Sequence, residues 1–137
     1  MSKNKLKEIW NNNNYALNGW ISINNPFSAE IMSRQNYDTL TIDMQHGLID
    51  YSDLLGILQA ITGSDVMPIV RVPWLDPGYI MKALDTGAEG IICPMINNKK
   101  EAEQFVSFMK YPPLGNRSFG PTRQNIISGN NYYSNAN

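Results

Sequence analysis

Two residues in this chain combine reactive chemistry with a suggestive setting: His46 and Arg71. His46 is the only histidine and stands in Asp43-Met44-Gln45-His46-Gly47, directly after the apolar run Thr39–Asp43. An imidazole changes charge near neutral pH, so it suits acid–base work. The competing reading is a histidine that caps a loop by local hydrogen bonding. Arg71 interrupts the apolar segment PIVRVP. A guanidinium there is costly unless it meets a carboxylate or a ligand anion, so it is either half of a buried ion pair with a core aspartate or an oxyanion clamp. Asp85 falls late in a helical pattern, in LDTGA, where the helix dipole disfavours a carboxylate. It is either a tolerated surface charge or held there to pair with a cation such as protonated His46. Cys93, inside IICPM, reads as a small buried apolar residue, since no second histidine is present to activate it. No cluster of His, Cys or paired carboxylates has metal-ligand spacing.

These residues need elements to position them. Four short apolar runs, Gly19–Ile23, Thr39–Asp43, Met67–Val72 and Gly90–Met95, read as buried strands bounded by turn residues. Helical patterns lie between them. One covers Ser28 to Gln35, and the next starts near Ser52 with Leu54, Leu55, Ile57, Leu58 and Ile61. A third opens at Asp76-Pro77, an N-cap followed by a proline at the first helical position, and closes at Gly87. A fourth begins at Asn98, with Glu101 as a capping-box partner and an apolar stripe of Ala102, Phe105, Val106 and Met109. Strand and helix therefore alternate four times, as parallel βαβ units require. Either an open doubly wound sheet or half of a (β/α)8 barrel fits, and the lack of G-x-G-x-x-G after any strand weakens the dinucleotide-binding version. Ligands in such folds bind at the C-terminal strand ends, which is where His46 and Arg71 fall. From Tyr111 onward, YPPLGNRSFGPTR reads as a long ordered loop, and NNYYSNAN as the start of another helix or a frayed tail. Arg117 and Arg123 in that loop are suited to binding an acidic substrate or to capping the fold.

Composition narrows the classes. The chain has 137 residues, enough for one domain, and 42% are hydrophobic. Eleven basic and twelve acidic residues give a formal charge of −1, which offers no basic excess for nucleic acid. A lone cysteine fits a reducing, cytoplasmic setting. No apolar run approaches the roughly 18 residues of a membrane span, and the N-terminus MSKNKLKEIW lacks a signal-peptide core.

Three blocks, YDTLTIDMQHGLIDYSDL, PIVRVPWLDPGYIMKALDTGAEGIICPMINNKKEAEQFV and YPPLGNRSFGPTR, resemble the HpcH/HpaI aldolase family of class II 2-oxo acid aldolases, from about Gly19 to the C-terminus. The resemblance implies that residues 1–137 form a single partial domain, the first half of a (β/α)8 barrel of about four strands, ending before the fifth. It implies a carbon–carbon lyase that cleaves 4-hydroxy-2-oxo acids to pyruvate and an aldehyde, acting on a small 2-oxo acid and assembling as a homo-oligomer when full length. It further implies His46 as general base, Arg71 as stabiliser of the enolate and Asp85 as the carboxylate that raises the basicity of the histidine. Asp43 and Gln45 are implied to lie against the substrate or against the residues that hold it. The family often has Glu where this chain has Gln45, which removes a charge beside the base. A divalent metal, Mg²⁺ or Mn²⁺, is implied as cofactor, with its Glu and Asp ligands on strands beyond Asn137. The alternatives are a non-catalytic half-barrel or assembly subunit and, more weakly, a citrate-lyase-type or CoA-ester lyase, against which the DMQHG block argues.

Overall fold

All four expected strands form, and each runs parallel to its neighbour. The structure, a computed structural model, describes residues 4–129 and 132–137. Strands β1 (Asn18–Ile21), β2 (Thr39–Asp43), β3 (Met67–Arg71) and β4 (Gly90–Ile92) lie side by side in chain order in one sheet. Register pairs Trp20 with Thr41, Thr41 with Ile69 and Asp43 with Arg71. Three of the strands end earlier than the apolar runs suggest. Pairing continues by one bond, from Val72 N–H to the Ile92 carbonyl at 3.0 Å, and then Pro73 offers no donor.

Helices α2 (Pro26–Ser33), α3 (Tyr51–Ala60), α4 (Pro77–Thr86) and α5 (Lys99–Met109) separate or follow the strands. Their starts are fixed by side-chain caps. Asn25 accepts from Ser28 N–H, which starts α2 two residues before the expected Ser28 and puts Pro26 at the first helical position. Asp50 and Asp53 cap α3 reciprocally. Asp76 caps α4, which ends at Gly87 with φ 123°, a conformation that favours glycine. Asn98 caps α5 as expected, whereas Glu101 accepts from Asn97 N–H, one residue before the cap. Two further helices lie outside the four expected strand–helix units. Helix α1 (Lys5–Asn11) packs Leu6 inward and sends Lys5 to Asp38 and to the Asp65 carbonyl, at the N-terminal ends of β2 and β3. Helix α6 (Thr122–Ser128) takes the last two residues of the expected loop and continues into a stretch with no expected element. The tail forms a short helix α7 (Tyr132–Asn135); its expected start at Asn130 and Asn131 lies outside the described residues.

The sheet has two different faces. Leu40, Ile42 and Val70, all fully buried, point to the helix layer and join Leu54, Ile57, Leu58 and Ile80 in one apolar cluster. Burying each such side chain contributes about 1.5–3 kcal/mol. The opposite, inner face carries Asn18, Trp20, Thr39, Thr41, Asp43, Ile69, Arg71 and Ile92, as the two-residue strand period requires. At its lower end the side-chain carbonyl oxygen of Asn18 accepts from both Thr39 and Thr41 hydroxyls, at 2.7 and 3.0 Å. At its upper end, where the strands finish, the charges collect.

Candidate functional site

Asp43 is the hub of that upper end. It is the last residue of β2 and only 2% exposed. Its Oδ1 accepts from the backbone N–H groups of Gln45 (3.0 Å) and His46 (3.2 Å) and from Arg71 Nε (2.9 Å). Its Oδ2 accepts from Arg71 Nη2 (2.5 Å) and Trp20 Nε1 (3.2 Å). Burial alone would raise its pKa. The Arg71 guanidinium, the two backbone donors and the indole outweigh burial and hold the carboxyl far below the usual carboxylate range. Asp43 is therefore a fixed anion, and its task within the chain is to organise its neighbours.

His46 sits on the loop that Asp43 ties down. The loop is held at its far side by Leu48 N–H, which donates to the Ser22 carbonyl at 2.8 Å, and by a parallel bridge between Ile23 and Leu48. Gly47 makes the turn possible: a Cβ there would collide with the Asp43 carbonyl oxygen. The His46 side chain is exposed and makes no hydrogen bond among the described residues. That differs from the reading of a histidine that caps its own loop; the backbone of His46, not its ring, is what the loop uses. Gln45 likewise contributes its backbone N–H to Asp43.

Arg71, directly opposite Asp43 in register, meets the core aspartate that an arginine inside an apolar strand calls for. The fork to Asp43 engages Nε and Nη2 and leaves Nη1 outside it. The side chain keeps 23% of its surface exposed, so the pairing with Asp43 and a clamp on an external anion are compatible. Sequence reasoning missed Trp20, whose ring lies under the same guanidinium at 4.9 Å. The available signal was its even spacing with Asn18 on the inner face of β1.

Asp85 lies elsewhere. Helix α4 returns to the start of β4, so its last turn is at the N-terminal ends of the strands, while His46 follows the C-terminal end of β2. The cation Asp85 meets within the chain is Arg117, at 2.6 Å, and no hydrogen bond or ion pair among the described residues joins it to His46. Within the chain, Asp85 is thus engaged by a loop arginine, and the implied pairing with the histidine finds no contact among the described residues. Arg117 is buried, donates to Tyr132 Oη at 2.9 Å and stacks over Tyr111 at 4.5 Å. Arg123 donates to the carbonyls of Leu58 and Thr86, at the C-terminal ends of α3 and α4, and to the Thr62 hydroxyl. Both loop arginines cap the fold and neither faces the strand ends that carry His46 and Arg71. Cys93 is partly buried, and burial pushes its thiol up, away from nucleophilic chemistry.

The residues present do not fit a divalent metal. Among the described residues no group of three His, Cys, Asp or Glu could hold one. Asp43, the carboxylate beside the histidine loop, already accepts five hydrogen bonds, two of them from a cation. No helix among the described residues is long and apolar enough to cross a membrane.

Comparison with known proteins agrees with this geometry. The family model for HpcH/HpaI aldolase/citrate lyase matches residues 17–136. A hydroxypyruvate/pyruvate aldolase of Rhizorhabdus wittichii is 42% identical over 133 residues, covering 97% of this chain and 53% of the relative. A 4-hydroxy-2-oxo-heptane-1,7-dioate aldolase of Salmonella dublin is 35% identical over 118 residues, covering 86% of this chain and 45% of the relative. The crystal structure of an HpcH/HpaI aldolase/citrate lyase family protein from Burkholderia cenocepacia J2315 superposes with a TM-score of 0.89 at 28% identity, covering 98% of this chain and 56% of that one. The chain spans about half the length of the curated relatives it matches, and its four βα units are half of a (β/α)8 barrel. With its sheet, its strand-end loop and its sequence all pointing the same way, the chain belongs to the HpcH/HpaI aldolase/citrate lyase family.

Proposed function

We propose that this chain supplies the acid–base and oxyanion-binding half of a pyruvate-type aldolase, a carbon–carbon lyase acting on small 2-oxo acids. One observation carries the reading. A single carboxylate oxygen, Asp43 Oδ1, accepts from both the His46 backbone and Arg71 Nε, so base and cation are set at one sheet end.

The division of labour follows from the environments. His46 is exposed, on a pinned loop, with a ring free of hydrogen-bond partners among the described residues, and is suited to take the proton from the C4 hydroxyl of a 4-hydroxy-2-oxo acid. Arg71 is held by its fork and offers Nη1 to the oxygen that gains charge as the C3–C4 bond breaks. Asp43 and the Gln45 backbone hold both in place. The family's use of Mg²⁺ or Mn²⁺ finds no ligand set among the described residues, and no step here is derived through a metal. A cytoplasmic, homo-oligomeric enzyme is the setting this reading implies.

The test is a chimera. Residues 1–137 replace the matching N-terminal half of the Rhizorhabdus wittichii hydroxypyruvate/pyruvate aldolase, and pyruvate release from a 4-hydroxy-2-oxo acid is followed. The reading expects turnover that His46→Ala lowers by about 10²–10⁴-fold. A folded chimera without turnover, or one indifferent to His46, overturns it.

A further inference from the structure

Trp20, Asp43 and Arg71 come from three successive strands and form a closed ring of contacts. The indole N–H donates to Asp43 Oδ2, Asp43 takes the Arg71 fork, and the Arg71 guanidinium lies 4.9 Å from the centroid of the Trp20 ring. We propose that Trp20 is the positioning residue for Arg71: its N–H fixes the carboxylate on which the guanidinium pivots, and its ring face stops the guanidinium turning toward β1.

Three features support this role over simple packing. Trp20 stands on the inner face, outside the apolar cluster of the helix side, so membership of that core does not explain a large ring there. Its N–H has a charged acceptor, which makes a directional bond stronger than one to a neutral group. Its ring faces a cation that has only one other anchor among the described residues, the Asp43 fork. A fork on one carboxylate still allows the guanidinium to swing about the line joining them. A second contact from β1, on the side away from β4, removes that freedom and gives Nη1 one direction. The role rests on the proposed function in one respect, that Nη1 meets the anion of a 2-oxo acid. The restraint of Arg71 itself does not depend on it.

The experiment uses the 137-residue chain labelled with ¹⁵N and measures solvent exchange of the Arg71 Nε proton, assigned by Arg71→Ala. Trp20→Phe keeps the ring face and removes the N–H; Trp20→Leu removes both. Exchange is expected to quicken by roughly threefold in Trp20→Phe and on the order of tenfold in Trp20→Leu, under conditions where each variant is fully folded by urea titration. Trp10→Leu, at another exposed tryptophan, on α1, is expected to leave the rate unchanged. Unaltered exchange in a folded Trp20→Leu, or in a folded Trp20→Phe, overturns the inference. Titration of the chimera, carrying the same substitutions, with pyruvate separates the two ideas. Affinity should fall in the order wild type, Trp20→Phe, Trp20→Leu, Arg71→Ala. Equal pyruvate response in wild type and Arg71→Ala sinks the functional reading, while the exchange rates still decide the role of Trp20.

Discussion

Asp85 and Arg117, 32 residues apart in sequence, form a 2.6 Å ion pair at the end of the molecule opposite the histidine loop. Arg117 is almost wholly buried, whereas Asp85 keeps about a quarter of its side-chain surface, so the pair is anchored from the arginine side. Removing the carboxylate leaves a buried cation with only Tyr132 as a side-chain hydrogen-bond acceptor among the described residues. Asp85→Ala is expected to cost roughly 3 kcal/mol or more in urea unfolding, as breaking one side of a buried pair does. The ring-proton shifts of His46 at neutral pH should stay where they are. A moved imidazole signal with little loss of stability would restore a link between Asp85 and the histidine.

Asp43 governs the acid side of stability. Its folded pKa is depressed, so its contribution is present above the unfolded carboxylate value of about 3.9 and is lost as pH falls through the folded value below that. Asp43→Asn should therefore be destabilised by a nearly constant amount from pH 8 to about pH 5, with the gap to wild type narrowing below about pH 4. Chemical denaturation across that range checks both the size and the sign. A gap that widens in acid contradicts the assignment of Asp43 as a fixed anion.

Gly47 has no room for a side chain, because its Cβ position falls on the Asp43 carbonyl oxygen. Gly47→Ala should cost about 1–3 kcal/mol, the range for forced overpacking. Because backbone rather than a flexible side chain is struck, the His46 amide should also lose its bond to Asp43 and exchange faster with solvent. Amide exchange and a thermal melt read the two effects separately.

The chain by itself should show no EDTA-sensitive release of pyruvate from a 4-hydroxy-2-oxo acid in the presence of Mn²⁺, since no ligand cluster exists among the described residues. In the active chimera, Arg71→Ala should lower cleavage and the exchange of pyruvate methyl protons together, on the order of 10²–10³-fold, because the enolate is common to both. His46→Ala should damage cleavage more than exchange. Parallel aldehyde and deuterium-incorporation assays decide, and the opposite pattern exchanges the two roles.

Tyr111 is fully buried, and its hydroxyl has no partner among the described residues; burial pushes its pKa up to about 12. Tyr111→Phe should keep the contacts with Phe119, Tyr133 and Arg117 and remove an unsatisfied polar atom. The expected change is neutral to stabilising by up to about 1 kcal/mol. A clear loss of stability would mean that a water or another acceptor serves that hydroxyl.

What could be read from sequence was what is local. The Asp76-Pro77 start and Gly87 end of α4 depend on residues within one turn, and β2 and β3 show as short apolar runs bounded by turn residues. The loop bearing His46 was legible because strand ends in parallel folds collect ligands. Asp85 was not, because its partner depends on how the segment after α5 folds back across α4. Trp20 was hidden for a related reason: a lone aromatic in a strand looks like packing until the register sets it one rung below Asp43 and Arg71. Helix α1 is short, with Leu6, Ile9 and Trp10 at amphipathic spacing, and α6 follows a Pro- and Gly-rich stretch that masks its start.

The two faces of the sheet have a consequence for the order in which the polypeptide takes shape during synthesis. The apolar cluster lies on the helix side, and all of its members come from within these βα units. Each unit can therefore settle onto the one before it as it leaves the ribosome, with neighbours that are already made. The inner face, with its Asn18–Thr39–Thr41 contacts below and its Asp43–Arg71 pair above, satisfies its own polar groups in the meantime. Vectorial assembly of this kind completes the helix layer unit by unit and leaves β1 and β4 as the two borders of the sheet.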